Sequence, residues 1–310
     1  MHYLTDAEKL AILRANPHVV AVYQNPNPPN KPIQVLIIPN TETRPLTLPA
    51  ATPRHMINLR PTMPIQDLRL RQPHATDTCY NEPVPCGCQI QPRGLGWVGT
   101  LGAAICINPS TSQQRWGILS NWHVLCCPSC QTRHDICQPL DNRPAIATLY
   151  DWLEVDPIEP NFFDAAIADS FIDGYHTTNP IQRNIGKIGE HLATACLGCA
   201  VLKSGRTTGV TEGKVQATGA AVRVGYGDFD APFLNQILIE PTGQAFSAPG
   251  DSGSLILEQE TLNPLALLFA GNDETTVASP IQAIANHFNL SFHFPETSTC
   301  AVAKSSQAQA

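Results

Sequence analysis

The spacing of apolar residues changes character early in the chain. Residues 5–15, TDAEKLAILRA, set Leu10, Ile12 and Leu13 on a polar stretch without a helix breaker, and Thr5 or Asp6 offers an acceptor to the first free N–H groups. A short capped helix is predicted there. Two β-rich runs follow, HVVAVYQ (18–24) and PIQVLIIP (32–39), separated by the turn-forming NPNPPNK, and a hairpin is the simplest arrangement. Between 40 and 95 prolines break up the chain, leaving only brief strand candidates such as QDLRL (66–70). Residues 1–90 therefore read as a small α+β region that ends in a proline-rich linker.

From Gly94 onward short apolar runs recur at close intervals: GWVGTLGAAICI, RWGILSNWHVL, DAAIAD, GKVQATGAAVRVGY, NQILIEP, GSLILE and PLALLFAG. Glycine, proline and asparagine separate them. Helical patterning returns only at SPIQAIANHF (279–288), where Ser279 stands as the expected cap and Pro280 as the first-turn residue. Many short strands with one late helix predict a mainly β domain over 94–294, a barrel or a sandwich rather than βαβ units. Residues 295–310 are small and polar, the composition of a flexible tail.

Composition narrows the functions. The 310 residues hold 19 Lys and Arg against 26 Asp and Glu, a net charge of −7, with only 15% charged residues. Such a chain has no basic field for phosphate backbones, so nucleic acid is not an expected partner. No run approaches the roughly eighteen apolar residues of a membrane-spanning helix. The first residues lack the basic and apolar blocks of a secretory leader, from which a cytoplasmic location is expected. The cysteines number 11, an odd count that cannot pair completely within one chain. In a reducing compartment they are read as thiols, metal ligands or core residues before a disulfide framework.

Three places in the β-rich part carry chemistry. Gly250-Asp251-Ser252-Gly253-Ser254 stands directly before the strand LILE, and a serine between glycines can present its hydroxyl on a sharp turn while the N–H groups of Gly250 and Ser252 converge on one spot. His123 closes the apolar run WGILS, where an imidazole can reach across a cleft. Asp164 opens DAAIAD, where a carboxylate entering a buried strand needs a partner such as an imidazole N–H. Each alone is also an ordinary turn, core histidine or strand-start acid. Their order, His then Asp then Ser, places the first two in one half of the domain and the last in the other.

That order, and the motifs around it, resemble the chymotrypsin-like serine peptidases over roughly residues 94–290. GTLGAAI (99–105), LSNWHVL (119–125), DAAIAD (164–169), LKSGRTTGVTEGKV (202–215), VGYG (224–227), FSAPGDSGSLIL (246–257) and LLFAGND (267–273) are, in sequence, similar to bacterial trypsin-like peptidases related to the plant narrow-leaf type. The resemblance implies a double β-barrel with a C-terminal helix. It implies Ser252 as nucleophile, His123 as general base and Asp164 as the carboxylate that orients it, with Gly250 and Ser252 supplying the oxyanion hole. Asp251 is expected to be structural. By the same analogy Phe246, Ala270, Asn272 and Ala278 bound the primary pocket, and a small or apolar preference is expected, since Phe246 stands where a trypsin-like specificity would want an aspartate, while Asp273 and Glu274 leave a basic preference open. Lys203–Gly209, KSGRTTG, lacks the order of a phosphate loop and is expected to be a strand and turn of the second barrel.

Cys127 and Cys130, and Cys196 and Cys199, form two CxxC pairs with the spacing that lets thiolates chelate zinc, and Cys86, Cys88, Cys126 and Cys137 are further candidates. Structural zinc, free thiols and disulfides all remain open, and catalysis is expected to need no cofactor. The leading expectation is a serine endopeptidase acting on polypeptides. A silent protease fold used as a binding module, and a zinc-binding regulatory protein, are its alternatives. An endopeptidase in a cytoplasm needs restraint, so residues 1–90 or a regulatory partner is expected to gate the cleft or deliver a particular substrate, with a homo-oligomer as the alternative to such a partner.

Overall fold

A computed structural model of the chain describes residues 3–25, 32–50, 52–71, 84–112, 114–126, 133–170 and 178–292. At its start Thr5 Oγ1 accepts from Glu8 N at 3.2 Å and Glu8 Oε2 accepts from Thr5 N at 2.8 Å, a reciprocal cap that begins the helix Asp6–Ala15. The expected hairpin is present, with Val19–Tyr23 antiparallel to Ile33–Ile37. Its outer edge takes Ile57–Pro61 in parallel. Its inner edge pairs with the long strand Gly209–Gly225, through Ala21 opposite Val222. The helix and hairpin share a buried apolar cluster with Ala221 and Leu234, in which Ile12, Leu13, Val19, Ile33 and Val35 are all enclosed. Lys9 Nζ donates to Gly219 O at 2.6 Å and ties the helix to the same strand.

Two large sheets and a small one of three strands, Gly186–Lys187, Thr178–Gln182 and Val84–Cys86, make up the described β structure, and the hairpin extends one of the large sheets. In one, the strands Ala200–Gly205, Leu255–Glu258, Pro264–Gly271, Thr276–Pro280, Asp230–Pro241 and Gly209–Gly225 are neighbours in that order, and pairing of the first with the last closes the ring. The other sheet has nine strands and includes, in order, Ala103–Ile107, Arg115–Ser120, Ala166–Ser170, Ala145–Trp152, Asp135–Cys137, Gln89–Pro92 and Trp97–Thr100. These strands are apolar on the inward positions and in several cases on every position, as Ala103–Ile107 and Pro264–Gly271 show by being buried throughout. The mainly β architecture with a late helix is the one the strand spacing predicts.

The late helix runs Ile281–Phe288 and buries Ile281, Ile284, Ala285 and Phe288. It shares a cluster with Ile105 of the nine-stranded sheet and Leu267 of the closed barrel, so it locks the two halves together. Its start differs from expectation. Pro280 is the cap residue and makes no side-chain cap bond, while Ser279 belongs to the preceding strand. Ser279 is fully buried, and its hydroxyl is drawn inward to Gln236 Oε1 at 3.1 Å. A buried polar group must be paired, and that requirement outweighs a local capping preference.

The proline-dotted linker contains one further element of consequence. Ile65–Asp67 lies between Gly209–Gly225 and Pro264–Gly271 of the closed barrel, and Leu70–Arg71 pairs with Trp97–Thr100 of the other sheet. The run QDLRL thus crosses from one half of the molecule to the other.

Candidate active site

His123 sits on a single helical turn, Trp122–Leu125, directly after the strand Arg115–Ser120. Asp164 lies just before Ala166–Ser170, the strand that pairs with Arg115–Ser120 through Ser120 opposite Ala166. Adjacent strand ends therefore bring the two residues together across a gap of 41 positions in the chain. His123 Nδ1 is 2.5 Å from Asp164 Oδ2, and His123 Nε2 is 2.7 Å from Ser252 Oγ. A carboxylate only accepts, so Nδ1 carries the ring proton and Nε2 is the acceptor for the serine hydroxyl.

Asp164 is held by more than the imidazole. Tyr226 donates its hydroxyl to Oδ2 at 2.7 Å, the His123 backbone N–H donates to Oδ1 at 3.3 Å, and Asn121 Nδ2 donates to the Asp164 carbonyl at 2.8 Å. Its own N–H reaches Ser279 Oγ at 3.4 Å. Burial, and then the adjacent Asp164 carboxylate, hold the Tyr226 phenol well above its ordinary pKa, so it is a permanent donor. Tyr226 is stacked on Phe229 and meets Trp122 and His123 edge-on, with ring centroids 6.1 and 5.7 Å away. Tyr226, Gln236 and Ser279 carry no sequence signal of this role: Tyr226 is one residue of VGYG, and Ser279 reads as a helix cap.

Ser252 precedes the strand Leu255–Glu258 on a loop whose glycines are sterically required. Gly250 and Gly253 have φ of +105° and +94°. A Cβ at Gly253 would stand 2.2 Å from Ser120 Oγ and 2.4 Å from Thr100 O. Thr100 N donates to Ser252 O at 2.8 Å, and Thr100 Oγ1 donates to Gly250 O at 2.9 Å. Asp251 points away into the protein, where it accepts from Thr207 N at 2.8 Å, Thr208 Oγ1 at 2.7 Å and Ala248 N at 3.0 Å. Its charge is met by Lys203 Nζ at 3.5 Å, with both side chains fully enclosed. Burial lowers the Lys203 ammonium pKa, and Asp251 works against that shift. The KSGRTTG stretch is thus the brace of the serine loop.

The cleft over this loop is filled by the chain itself. Ser252, His123 and Asp164 are each 0% exposed. Gly250 N donates to the carbonyl of Leu68 at 2.5 Å, and Leu68 N donates to Phe269 O at 3.3 Å. Asp67 lies opposite Ala270 and Gln66 opposite Gly271 in an antiparallel ladder. Asp67 and Arg69 form a buried ion pair at 2.9 Å that spans Leu68, and the Arg69 guanidinium lies 5.2 Å from the Trp97 ring centre. Burial raises the Asp67 carboxyl, but the charges of His123 and Arg69 outweigh it and leave its pKa below the ordinary value.

No protein-family model and no curated protein matches the chain. Solved structures do. Thermobifida fusca Protease A superimposes with a TM-score of 0.50 at 18% identity, covering 67% of this chain and 97% of that one. The fold is that of the chymotrypsin-like serine proteases. Nocardiopsis protease aligns with a TM-score of 0.48 at 19% identity over 67% of this chain and 97% of its own. Cellulomonas bogoriensis chymotrypsin gives 0.47 at 19% identity, over 67% and 97%.

Within this chymotrypsin-like frame the residues expected at the pocket fall in different places. Phe246 and Ala278 belong to the same buried apolar cluster as Leu68. Ala270 lies in the strand that carries the ladder to Asp67. Asn272 instead fastens the incoming segment: its Nδ2 donates to Met63 O at 2.8 Å and Thr62 Oγ1 at 3.2 Å. The sequence does not single out Gly271, where a Cβ would stand 2.9 Å from Thr275 O and 3.4 Å from Leu68 Cδ1, so the backbone of its own turn is what requires the glycine beside the leucine.

The metal expectation is altered at one pair. Cys196 and Cys199 are joined in a disulfide with Cα atoms 5.4 Å apart, and a bonded pair has no thiolate to offer zinc. Cys127 and Cys130 lie outside the described residues. Among the described residues no three His, Cys, Asp or Glu side chains gather as a metal site. Cys86, Cys88, Cys106, Cys126 and Cys137 are buried. No helix among the described residues is long and apolar enough to cross a membrane.

Proposed function

We propose that the protein is a serine endopeptidase that cleaves polypeptides through an acyl-enzyme on Ser252. The observation that supports this reading is the unbroken hydrogen-bonded chain Ser252 Oγ, His123 Nε2, His123 Nδ1, Asp164 Oδ2, with Gly250 N–H aimed at a carbonyl oxygen beside it. Ser252 Oγ attacks the substrate carbonyl carbon as its proton passes to His123 Nε2. Asp164 stabilises the imidazolium and holds its tautomer, and Tyr226 holds Asp164. The N–H groups of Gly250 and Ser252 take the negative charge that develops on the carbonyl oxygen. His123 then returns the proton to the leaving amine, and water, activated by the same histidine, releases the acyl group. These steps use only side chains, backbone and water, so no metal or cofactor is required. In a cytoplasm, the compartment expected from the sequence, such an enzyme works under restraint on selected substrates.

A biotinylated fluorophosphonate tests this reading. Covalent labelling of the folded full chain, lost in Ser252→Ala, is the expected result. A proteome-wide comparison of cleavage sites between wild type and Ser252→Ala then supplies the specificity. Absence of both labelling and cleavage in folded protein, with the cleft cleared by Leu68→Glu, overturns it.

A further inference from the structure

We infer that residues Gln66–Leu70 are a built-in inhibitor bound in the register of a substrate, and that Leu68 reports the enzyme's preference for leucine before the bond it cuts. This rests on the peptidase reading above. The register follows from the hydrogen bonds. The carbonyl that receives the Gly250 N–H is that of Leu68, so the Leu68 carbonyl carbon is the atom offered to Ser252. Residues on its amino side extend the sheet as an added strand, Asp67 opposite Ala270 and Gln66 opposite Gly271, the way extended peptides dock on a strand edge. Residues on its carboxyl side pair with the opposite half of the molecule, Leu70 opposite Val98. The Leu68 side chain is 5% exposed and belongs to the apolar cluster of Val215, Ile237, Phe246 and Ala278. These neighbours are apolar, Lys203 Nζ stands 5.9 Å from the Phe246 ring centre with its charge directed to Asp251, and a leucine fills the space.

The same geometry makes the segment an inhibitor rather than a passing substrate. Asp67 Oδ1 accepts from Arg69 N at 3.1 Å and Arg69 Nε at 2.9 Å, and Oδ2 accepts from Arg69 Nη2 at 3.2 Å. This clasp straddles the Leu68–Arg69 bond, and both flanks are paired to strands. If Ser252 Oγ adds to the Leu68 carbon and the Leu68–Arg69 bond breaks, the proton from Ser252 passes through His123 to the Arg69 nitrogen. The amine so formed stays beside the ester, re-attacks it and restores both the peptide bond and the Ser252 hydroxyl. Holding both ends in place keeps the reverse step fast, as preorganisation does for any intramolecular reaction.

Leu68→Glu puts a charge where the apolar cluster requires leucine and clears the cleft. Its fluorophosphonate labelling is expected to exceed that of wild type at least about tenfold, the effect of about 1.4 kcal/mol of lost docking. It is expected to hydrolyse a tetrapeptide p-nitroanilide ending in leucine faster than the arginine or phenylalanine analogue. Asp67→Ala/Arg69→Ala, which keeps Leu68, is expected to be cut after Leu68, exposing the substituted position 69 as a new amino terminus, while wild type stays intact. Equal labelling of wild type and Leu68→Glu overturns the inhibition, prompt cleavage of wild type after Leu68 overturns the clasp, and a faster arginine substrate overturns the specificity. If no form labels, the peptidase reading has failed, and occupancy is read separately: fluorescent PIQDLRLR binds Ser252→Ala/Leu68→Glu but not Ser252→Ala. Equal binding to both overturns the occupancy.

Discussion

Tyr226 and His123 share one oxygen: the phenol donates to Asp164 Oδ2 at 2.7 Å, and His123 Nδ1 lies 2.5 Å from the same atom. A carboxylate with no exposure depends on such donors, here joined by the His123 backbone N–H on Oδ1. Tyr226→Phe keeps the rings packed and removes only the O–H. A hydrogen bond to a charged group contributes about 1.5–3 kcal/mol, so labelling of Ser252 is expected to slow by about tenfold or more in a Leu68→Glu background. Unchanged labelling in a folded variant would show that Asp164 needs no help from the tyrosine. Tyr226→Leu, which also disturbs the stack on Phe229, should lose stability as well as rate.

Lys203 and Asp251 set the shape of the serine loop from below. Both are fully enclosed, so removing one leaves the other as an uncompensated buried charge. Lys203→Met is expected to lower unfolding free energy by about 3–5 kcal/mol, measured by urea denaturation. Because Asp251 also fixes Thr207 N and Ala248 N, activity should fall further than the folded fraction does. The double variant Lys203→Met/Asp251→Asn should recover much of the stability. A Lys203→Met midpoint equal to wild type would remove this pair from the account of the loop.

What the sequence revealed, and what it hid, follows from where each signal resides. Ser252 lies in a glycine-bracketed turn before an apolar strand, and His123 and Asp164 stand at the ends of strands, so local patterning and chain order were enough to group them. The run QDLRL reads from sequence only as a brief strand candidate in a proline-rich linker, because its partners Gly225, Ala270 and Gly271 lie far along the chain. Nothing within five residues marks a strand whose stability comes from a distant edge. Ser279 shows the opposite failure. Its local signal, serine before proline, is a sound helix start, but Gln236 and the Asp164 N–H claim its hydroxyl. Cys196 and Cys199 have zinc-ligand spacing, and the same spacing lets two sulfurs meet.

The remaining cysteines differ in reactivity. Cys86 has its sulfur accepting from Ala104 N at 3.1 Å, and burial pushes its thiol pKa up to about 12. A thiol reacts as thiolate, so at pH near 8 only about one part in ten thousand is in the reactive form. Native protein treated with iodoacetamide and mapped by mass spectrometry should show Cys86 unmodified until denaturant is added. Cys137, also raised by burial, should follow. Rapid native alkylation of Cys86 would mean that the sheet around Val84–Cys86 opens readily.

Acid should loosen the cleft segment through Asp67. Its pKa is depressed: burial alone would raise it, but the charges of His123 and Arg69 lower it further. His123 and Arg69 are the groups that hold it down, and Tyr226, which also feels the Asp67 charge, stays neutral throughout this range. The docked state therefore binds fewer protons than a released one. Docking is fully supported above the ordinary carboxylate pKa and weakens as pH falls toward and through the depressed value. The observable is hydrogen exchange at Leu68 N, whose bond to Phe269 O exists only in the docked segment. In Ser252→Ala, its protection relative to amides of Pro264–Gly271 should drop between about pH 5 and pH 3, by up to about tenfold for each unit by which the pKa is depressed. Asp67→Asn should abolish that dependence. Protection that stays flat in Ser252→Ala, or that still falls in Asp67→Asn, would assign the acid response to another group.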